Sequence, residues 1–243
     1  MKGKIYCIGT GPGKDDLISE RALKAIEESD VIAGYGLYTD LIAHLIKDKE
    51  LIVTPMKQEK SRCEKALEKA EEGKTVSLIS SGDAGVYGMA GLLIETAEKS
   101  DVEVEVIPGI SAVLAAAAKL GAPLTHDFTV ISLSDLLTPW EKIEKRLIAA
   151  ADAEFIIAVY NPSSKKRADY LKRACEIISP YINENTLCGY VRNCEREQEE
   201  KGILSFKELK DFQADMFTLI IIGNSTTKLI KNQMVTPRGY KGL

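Results

Sequence analysis

Short apolar runs alternate with amphipathic stretches along the chain. In the first half, runs rich in β-branched residues predict strands at "GKIYCIG", "DVIAG", "ELIVT", "TVSLIS" and "VEVEVI". Between them, apolar residues recur at helical spacing in "DDLISERALKAIEES", "TDLIAHLIKD", "SRCEKALEKAEEG" and "YGMAGLLIETAEKS". Gly73 is the predicted C-cap of the third of these helices. Such alternation of strands and helices is typical of α/β proteins.

The second half repeats this alternation after an alanine-rich helix. The segment "PGISAVLAAAAKLG" predicts a helix that Gly121 ends, and "APLTHDF" predicts a connector. Strands are then predicted at "FTVISLS", "EFIIAVY", "TLCGYV" and "FTLIIIGN", and helices at "PWEKIEKRLIAAA", "KKRADYLKRACEIIS" and, briefly, "SFKELKDF". Pro139 suits a first helical turn. We therefore predict two α/β domains, residues 1–120 and 121–243, with a ligand cleft between them.

The composition fits a soluble globular protein. The 243 residues are 45% hydrophobic and 28% charged, and a formal net charge of −4 offers no strong field for nucleic acid or an anionic membrane. No apolar run approaches the roughly 20 residues that span a bilayer. The chain enters its first strand without a leader-like segment, so we expect a cytoplasmic protein. Its five cysteines include no C-x-x-C, which favours reduced thiols over disulfides or a metal site.

Glycine-rich loops follow several predicted strands, where open α/β sheets bind ligands. The first is Gly9-Thr10-Gly11-Pro12-Gly13. A dinucleotide fingerprint would have its third glycine where Lys14 stands, and Pro12 removes an N–H that a phosphate cradle would use. A plain structural turn is the other interpretation of this loop.

A second glycine-rich stretch, "SSGDAGVYGMAG", begins at Ser80. Glycine permits positive φ and close approach to the backbone, and Asp83 can accept hydrogen bonds from ribose hydroxyls or an ammonium group. In the alternative interpretation, Asp83 caps the next helix and the glycines only turn the chain. Three more loops, "IPGISA", "VYNPSS" and "IIIGNST", follow strands, and their Ser111 and Asn161 are ordinary helix-capping residues when each is taken alone.

Taken together, the loops carry a family resemblance. The set "GTGPG", "SSGDAGVYG", "PGISA", "YNP" and "IGNST", in this order and spacing, resembles the tetrapyrrole methylase family, whose members transfer a methyl group from S-adenosylmethionine. The resemblance covers essentially the whole chain. The segments "VIAGYGLYTDLI", "SSGDAGVYGMAG", "GAPLTHDF", "ISLSDLLTPWEKIEKRL" and "VYNPSSKKR" are similar to the branch that methylates carbon 17 of precorrin-3B or its cobalt counterpart and contracts the ring, in cobalamin biosynthesis.

The resemblance implies an S-adenosylmethionine-dependent methyltransferase that forms a homodimer and takes a tetrapyrrole substrate. It also implies that the donor lies in the cleft between the domains, and that the glycines make room for it. The family's binding motifs, carried over position by position, name the donor-binding residues as Pro12, Gly82, Asp83, Val86, Ser111, Ala112, Tyr160 and Gly223.

Direct attack of an electron-rich ring carbon on a sulfonium methyl group needs positioning more than a catalytic dyad. Ring contraction asks for proton transfers, and the candidates for these are His126, Asp127, Ser134 and Asp135. For His126, a hydrogen-bonded structural imidazole is the alternative.

A precorrin carries many carboxylates, so basic groups are expected at the rim of its site. The candidates are Arg62, Lys165, Lys166, Arg167 and Arg192, each of which is equally compatible with a solvated surface. Other interpretations stay open: a methylase of the same family acting on another tetrapyrrole carbon or on a modified protein histidine, a dinucleotide-dependent oxidoreductase, or a protein that binds such ligands without turnover.

Overall fold

The computed structural model describes residues 3–164 and 167–241. Contacts between residues divide the chain into two compact units, Met1–Ala112 and Val113–Leu243, which we describe separately. The domain division predicted at residue 120 stays a prediction. Lys165 and Lys166, two of the basic candidates, lie outside the described residues.

The first unit is built on a parallel five-stranded sheet with the strand order β3-β2-β4-β1-β5. Its strands are β1 (Lys4–Gly9), β2 (Val31–Tyr35), β3 (Glu50–Thr54), β4 (Thr75–Ser80) and β5 (Glu103–Ile107). Its helices are α1 (Glu20–Glu28), α2 (Gly36–Leu41), α3 (Glu59–Glu71) and α4 (Ala90–Thr96), with short 3-10 turns at Asp15–Leu17 and Ala43–Leu45. The five strands and four helical regions predicted for this half are confirmed, although the second region is shorter and broken.

Both faces of this sheet are covered, which explains why its central strands are continuously apolar. Successive side chains of a strand point to opposite faces, and Cys7 packs in one core cluster while its neighbour Ile8 packs in another. Ser19 caps α1, since its hydroxyl accepts a hydrogen bond from the backbone N–H of Ala22 at 3.2 Å. Gly73 follows α3 with φ +95°, as its predicted role at the C-cap requires.

The second unit carries a mixed sheet of order β10-β9-β11-β8-β7. Its elements begin with α5 (Ala112–Leu120), whose first residue closes the first unit, and continue with β6 (Gly121–Ala122), β7 (Phe128–Ser132), α6 (Trp140–Asp152), β8 (Ile156–Tyr160), α7 (Tyr170–Ile178), β9 (Leu187–Arg192), β10 (Glu200–Ser205), α8 (Phe206–Leu209), β11 (Thr218–Ile222), β12 (Lys228–Ile230) and β13 (Gln233–Val235). Strands β7 and β8 are parallel, whereas the pairs β8–β11, β11–β9 and β9–β10 are antiparallel. One apolar cluster, which includes Leu147, Phe206 and Ile220, forms the core.

Four strands of this unit escape the sequence patterns. Strand β10 begins in a run of charged residues and pairs only with β9, so no alternation of buried and exposed residues reveals it. The predicted connector contains β6, which pairs with β13 through contacts more than 100 residues apart in sequence. Strand β12 completes this small sheet beside β13. Among the described residues, no helix is long and apolar enough to cross a membrane.

Candidate functional site

Three loops of the first unit meet at one edge of its sheet. Strands β4, β1 and β5 are neighbours and run parallel, so the loops that follow them leave the same edge. The first two loops are joined directly: the N–H of Gly11 donates to the carbonyl of Gly82 at 3.0 Å, and the N–H of Gly82 donates to the carbonyl of Gly11 at 2.6 Å. Both glycines have positive φ, +75° and +71°, which side chains rarely adopt.

The third loop approaches the other two so closely that only glycine fits. A Cβ atom on Gly109 would lie 2.2 Å from the carbonyl oxygen of Gly82 and 2.5 Å from that of Gly9. A Cβ atom on Gly9 would lie 2.6 Å from both the nitrogen of Gly109 and the carbonyl oxygen of Gly82. These glycines are therefore explained by contact between backbones of the chain itself.

The same explanation covers part of the stretch from Ser80 to Gly91. A Cβ atom on Gly88 would lie 2.4 Å from the carbonyl oxygen of Ala84, so this glycine permits a tight turn of its own loop. Gly91, on the exposed surface of α4, has no atom within 4 Å of such a Cβ. The expectation that all these glycines make room for a ligand is thus replaced: Gly82 and Gly88 are required by the loop's own conformation.

Asp83 connects two of the loops through its carboxylate. One oxygen, Oδ1, accepts hydrogen bonds from the N–H groups of Gly85 and Val86 at 2.8 and 3.1 Å, and the other, Oδ2, accepts one from the N–H of Gly109 at 3.0 Å. Hydrogen bonds to an ionised acceptor are stronger than neutral ones. Asp83 therefore fixes the shape of the edge from within, as the capping interpretation anticipated for the first two bonds.

The segment from Gly85 to Gly88 forms the exposed part of this edge. The side chains of Val86 and Tyr87 are 37% and 58% exposed, and Tyr87 has φ +55°. Pro12 and Ser111, from the other two loops, are buried. An exposed edge that combines backbone groups with apolar side chains suits a ligand that has both flat apolar and polar parts.

In the second unit, Tyr160 ends β8 and lies opposite Ser132 at the end of β7. Its phenolic oxygen accepts a hydrogen bond from the backbone N–H of Val113, in the first turn of α5, at 3.0 Å. The predicted contact Ala112 directly precedes Val113. Tyr160 is thus held by a backbone group next to another predicted binding residue.

Beside Tyr160, a polar network connects the segment after β7 with α7 and the residues before it. The Arg167 guanidinium donates to Ser134 Oγ at 2.9 Å and lies 3.4 Å from Asp135 Oδ1, while the Tyr170 hydroxyl donates to Asp135 Oδ2 at 2.6 Å. This hydrogen bond to a carboxylate raises the pKa of the Tyr170 phenol. Asn161, with φ +51°, donates from Nδ2 to Ser132 Oγ at 2.9 Å.

The network includes residues that the sequence did not single out, namely Ser132 and Tyr170. Tyr170 meets Asp135 across 35 positions, so no local pattern announces the pair. Asn161 is the exception, because asparagine directly before a proline favours a turn and tolerates a positive φ.

The four predicted proton-transfer residues do not form one constellation. His126 and Asp127 precede β7, whereas Ser134 and Asp135 follow it, and a five-residue strand rises about 16 Å. The His126 Nδ1 atom accepts a hydrogen bond from the N–H of Asp127 at 2.9 Å, and both side chains are exposed. This local bond matches the structural alternative for His126.

Gly223 lies at the same end as Asp127. It follows β11, which is antiparallel to β8, and Ile222 pairs with Ile157 near the start of β8, away from Tyr160. A Cβ atom on Gly223 would lie 2.6 Å from Thr227 Oγ1 and 2.8 Å from the carbonyl oxygen of Leu187. The structure therefore does not bring Gly223 together with Tyr160, and local packing accounts for the glycine.

Two of the basic rim candidates are engaged in structural contacts. Arg62 is 3% exposed, and its guanidinium donates to Thr54 Oγ1 at 2.8 Å and to the carbonyl oxygen of Thr54 at 3.2 Å. Burial lowers the pKa of Arg62. Arg192 pairs with Glu200 at 2.7 Å and with Asp215 at 3.4 Å. The expectation of a carboxylate-binding role is corrected for Arg62, because its guanidinium is buried against backbone and hydroxyl oxygens.

Comparison with known proteins places these features in a family. Residues 4–210 match the family model described as Tetrapyrrole (Corrin/Porphyrin) Methylases. The chain is 46% identical over 238 residues to the probable cobalt-factor III C(17)-methyltransferase of Salmonella typhimurium, with 97% of this chain and 99% of that protein covered. A crystal structure of the methyltransferase CobJ superposes with a TM-score of 0.90 at 37% identity, covering 97% of this chain and all of that one.

One relative is considerably longer than this chain. The cobalt-factor III methyltransferase of Priestia megaterium is 47% identical over 247 residues, which are 99% of this chain and 46% of that protein. The chain thus spans about half the length of the Priestia relative and almost the whole of the Salmonella one.

Proposed function

The chain belongs to the tetrapyrrole (corrin/porphyrin) methylase family, and from this premise we propose that it transfers a methyl group from S-adenosylmethionine to carbon 17 of a ring-contracting precorrin. The observation that carries the proposal is the edge where three glycine loops meet, fixed by Asp83, in a chain that matches C(17)-methyltransferases over nearly its full length. The reaction belongs to the synthesis of the corrin ring of cobalamin.

S-adenosylmethionine fits the residues of this edge. The donor has a flat adenine, a ribose and a charged amino-acid part, and the exposed segment from Gly85 to Gly88 offers apolar side chains beside backbone donors and acceptors. Asp83 acts here by holding that segment in shape. For the second unit we retain Tyr160 and leave out Gly223, which lies at the opposite end of β8. The proposed donor contacts are Pro12, Gly82, Asp83, Val86, Ser111, Ala112 and Tyr160.

The chemistry asks little acid or base strength of the protein in the methylation itself. The bound donor supplies a methyl group on a sulfonium sulfur, which leaves with the S–C electron pair when an electron-rich ring carbon attacks. The loops contribute orientation and exclusion of water, which are the effects that accelerate such a transfer. Rigid glycine contacts between the three loops serve this task, because small displacements of reacting atoms are costly.

For the proton transfers of ring contraction we propose Ser134 and Asp135. Both lie past the carboxyl end of β7, the end at which β8 places Tyr160, and Asp135 is already hydrogen-bonded to Tyr170. His126 and Asp127 lie at the other end of β7, so we do not assign them a part in the reaction. A carboxylate with a neighbouring phenol and guanidinium can hold or pass a proton.

We propose the cobalt-containing substrate, cobalt-factor III, as the first choice. Both relatives described above are named for cobalt-factor III, at 46% and 47% identity. Precorrin-3B, its cobalt-free counterpart, is the alternative. Cobalt here belongs to the substrate and is not a resident metal of the protein.

The experiment uses purified protein, kept anaerobic, with methyl-labelled S-adenosylmethionine and either cobalt-factor III or precorrin-3B. We expect the mass of one methyl group and the label to appear in the tetrapyrrole, with cobalt-factor III the better substrate. Gly91→Ala, which changes an open surface position, serves as the matched active control for variants of the loops. Label appearing in a protein histidine, or in a tetrapyrrole at a carbon other than 17, would assign the chain to another activity of the family.

The homodimer and the cytoplasmic location stay predictions of the family resemblance. Light scattering coupled to size-exclusion chromatography measures the first, and fractionation of cells measures the second. A dinucleotide-dependent oxidoreductase would instead bind a nicotinamide or flavin, which the same purified protein tests by titration.

A further inference from the structure

Two leucines lie fully in solvent at the tip of the loop between β7 and α6. Leu136 is 59% exposed and Leu137 is 98% exposed. The residues at the two ends of the loop are buried, Leu133 at 0% and Trp140 at 7% exposure. The loop is therefore attached to the core at both ends and presents an apolar tip.

The base of this tip is held by polar contacts. The hydroxyl of Ser134 and the carboxylate of Asp135, directly before the leucines, bind Arg167 and Tyr170. The N–H of Ser134 also donates to Ser132 Oγ at 3.2 Å. A surface loop that needs only to connect two elements requires no such network, since ordering a residue costs about 1–2 kcal/mol of backbone entropy.

The position of the tip selects its ligand. The loop leaves the carboxyl end of β7, beside the end of β8 that carries Tyr160, which is where open α/β sheets bind their ligands. Single exposed leucines are ordinary, but an adjacent pair at a fixed position beside a ligand edge offers a small apolar surface. A tetrapyrrole has two flat apolar faces and a rim of carboxylates, so one face is the complementary surface.

We propose that Leu136 and Leu137 contact a face of the tetrapyrrole substrate, and that Ser134, Asp135, Arg167 and Tyr170 position them. The inference rests on the proposed function and names residues that determine the affinity for its substrate. Contact with the ring in both the ground state and the transition state affects KM and leaves kcat unchanged.

The test compares Leu137→Ser, the double variant Leu136→Ser/Leu137→Ser and the control Leu229→Ser in the methylation of cobalt-factor III. Leu229 is 51% exposed on β12, so all three variants remove exposed leucines and leave the core intact. We expect KM for the tetrapyrrole to rise about 10-fold in Leu137→Ser and further in the double variant, because a buried leucine side chain is lost from the contact. The kcat, the KM for S-adenosylmethionine and the melting temperature should stay within experimental error, and Leu229→Ser should match the unaltered protein.

Restoring an apolar side chain sharpens the test. Leu137→Met keeps the apolar contact and should keep a KM close to that of the unaltered protein. An unchanged KM in both serine variants, measured with an active unaltered protein, overturns the assignment of the tip. An unaltered protein that methylates neither cobalt-factor III nor precorrin-3B refutes the proposed function instead, so the two failures are distinguishable.

Discussion

Gly109→Ala should separate the three loops on which the proposed donor site depends. The added Cβ atom would lie 2.2 Å from the carbonyl oxygen of Gly82, and contact without strain requires that the two loops move apart by about 1 Å. Overpacking of this kind costs about 1–3 kcal/mol. The movement also weakens the hydrogen bond from the Gly109 N–H to Asp83, which is worth about 1.5–3 kcal/mol because its acceptor is charged. We expect the free energy of unfolding to fall by about 2–4 kcal/mol.

Urea unfolding followed by far-ultraviolet circular dichroism measures this loss, with a midpoint lowered by about 1–2 M. Titration calorimetry with S-adenosylmethionine measures the second consequence, which is donor affinity about 10-fold weaker or worse. The fluorescence of Trp140, the sole tryptophan, reports the second unit and shows whether the damage spreads.

Gly91→Ala is the matched control. It places the same methyl group within α4, where nothing lies within 4 Å, and alanine is favoured over glycine in a helix by about 0.5–1 kcal/mol. The control should therefore be slightly more stable than the unaltered protein and bind the donor equally well. If Gly109→Ala behaved like Gly91→Ala in both measurements, the argument that these glycines are required by backbone contact would be refuted.

Four further results are expected. Asp83→Ala should weaken donor binding at least 10-fold by calorimetry, because three backbone N–H groups lose their acceptor; unchanged affinity would mean that the edge keeps its shape without the carboxylate. Arg62→Ala should lower the free energy of unfolding by about 2–4 kcal/mol in urea, since it leaves a cavity and unpaired oxygens, and a fully stable variant would contradict the buried role. Asp135→Ala should lower the pKa of the Tyr170 phenol toward its ordinary value in a titration of ¹³C-labelled tyrosine, because the carboxylate that favours the neutral phenol is gone; an unmoved resonance would argue against the contact. The five buried cysteines should resist iodoacetamide at pH 8 in the folded protein and react in urea, since burial raises the pKa of Cys7 to about 12, and mass spectrometry counts any early adduct that would say otherwise.

The fold of the first unit follows closely from local patterns. Its strands are buried on both faces, so each is a continuous apolar run, and its helices show a one-sided apolar face with recognisable ends such as Gly73. The order in which strands and glycine loops alternate also predicts that the loops leave one edge, because the strands of such a sheet are parallel.

The second unit shows where local patterns stop. Strand β10 is formed from a charged segment because β9 offers it a partner, and β6 is two residues long. The antiparallel direction of β11 decides that Gly223 lies at the opposite end from Tyr160, and nothing in "IIIGNST" records that direction.

The sequence by itself determined the alternation of elements, the positions of the loops and the residue types that can bind a methyl donor. These properties depend on periodicity and on side-chain chemistry over a few neighbouring residues. Only the tertiary structure decided that Asp83 binds Gly109, that Asp135 binds Tyr170, and that His126 is separated from Ser134 by a strand. Contacts between distant residues depend on strand order and direction, which are set by packing of the whole unit and leave no local signal.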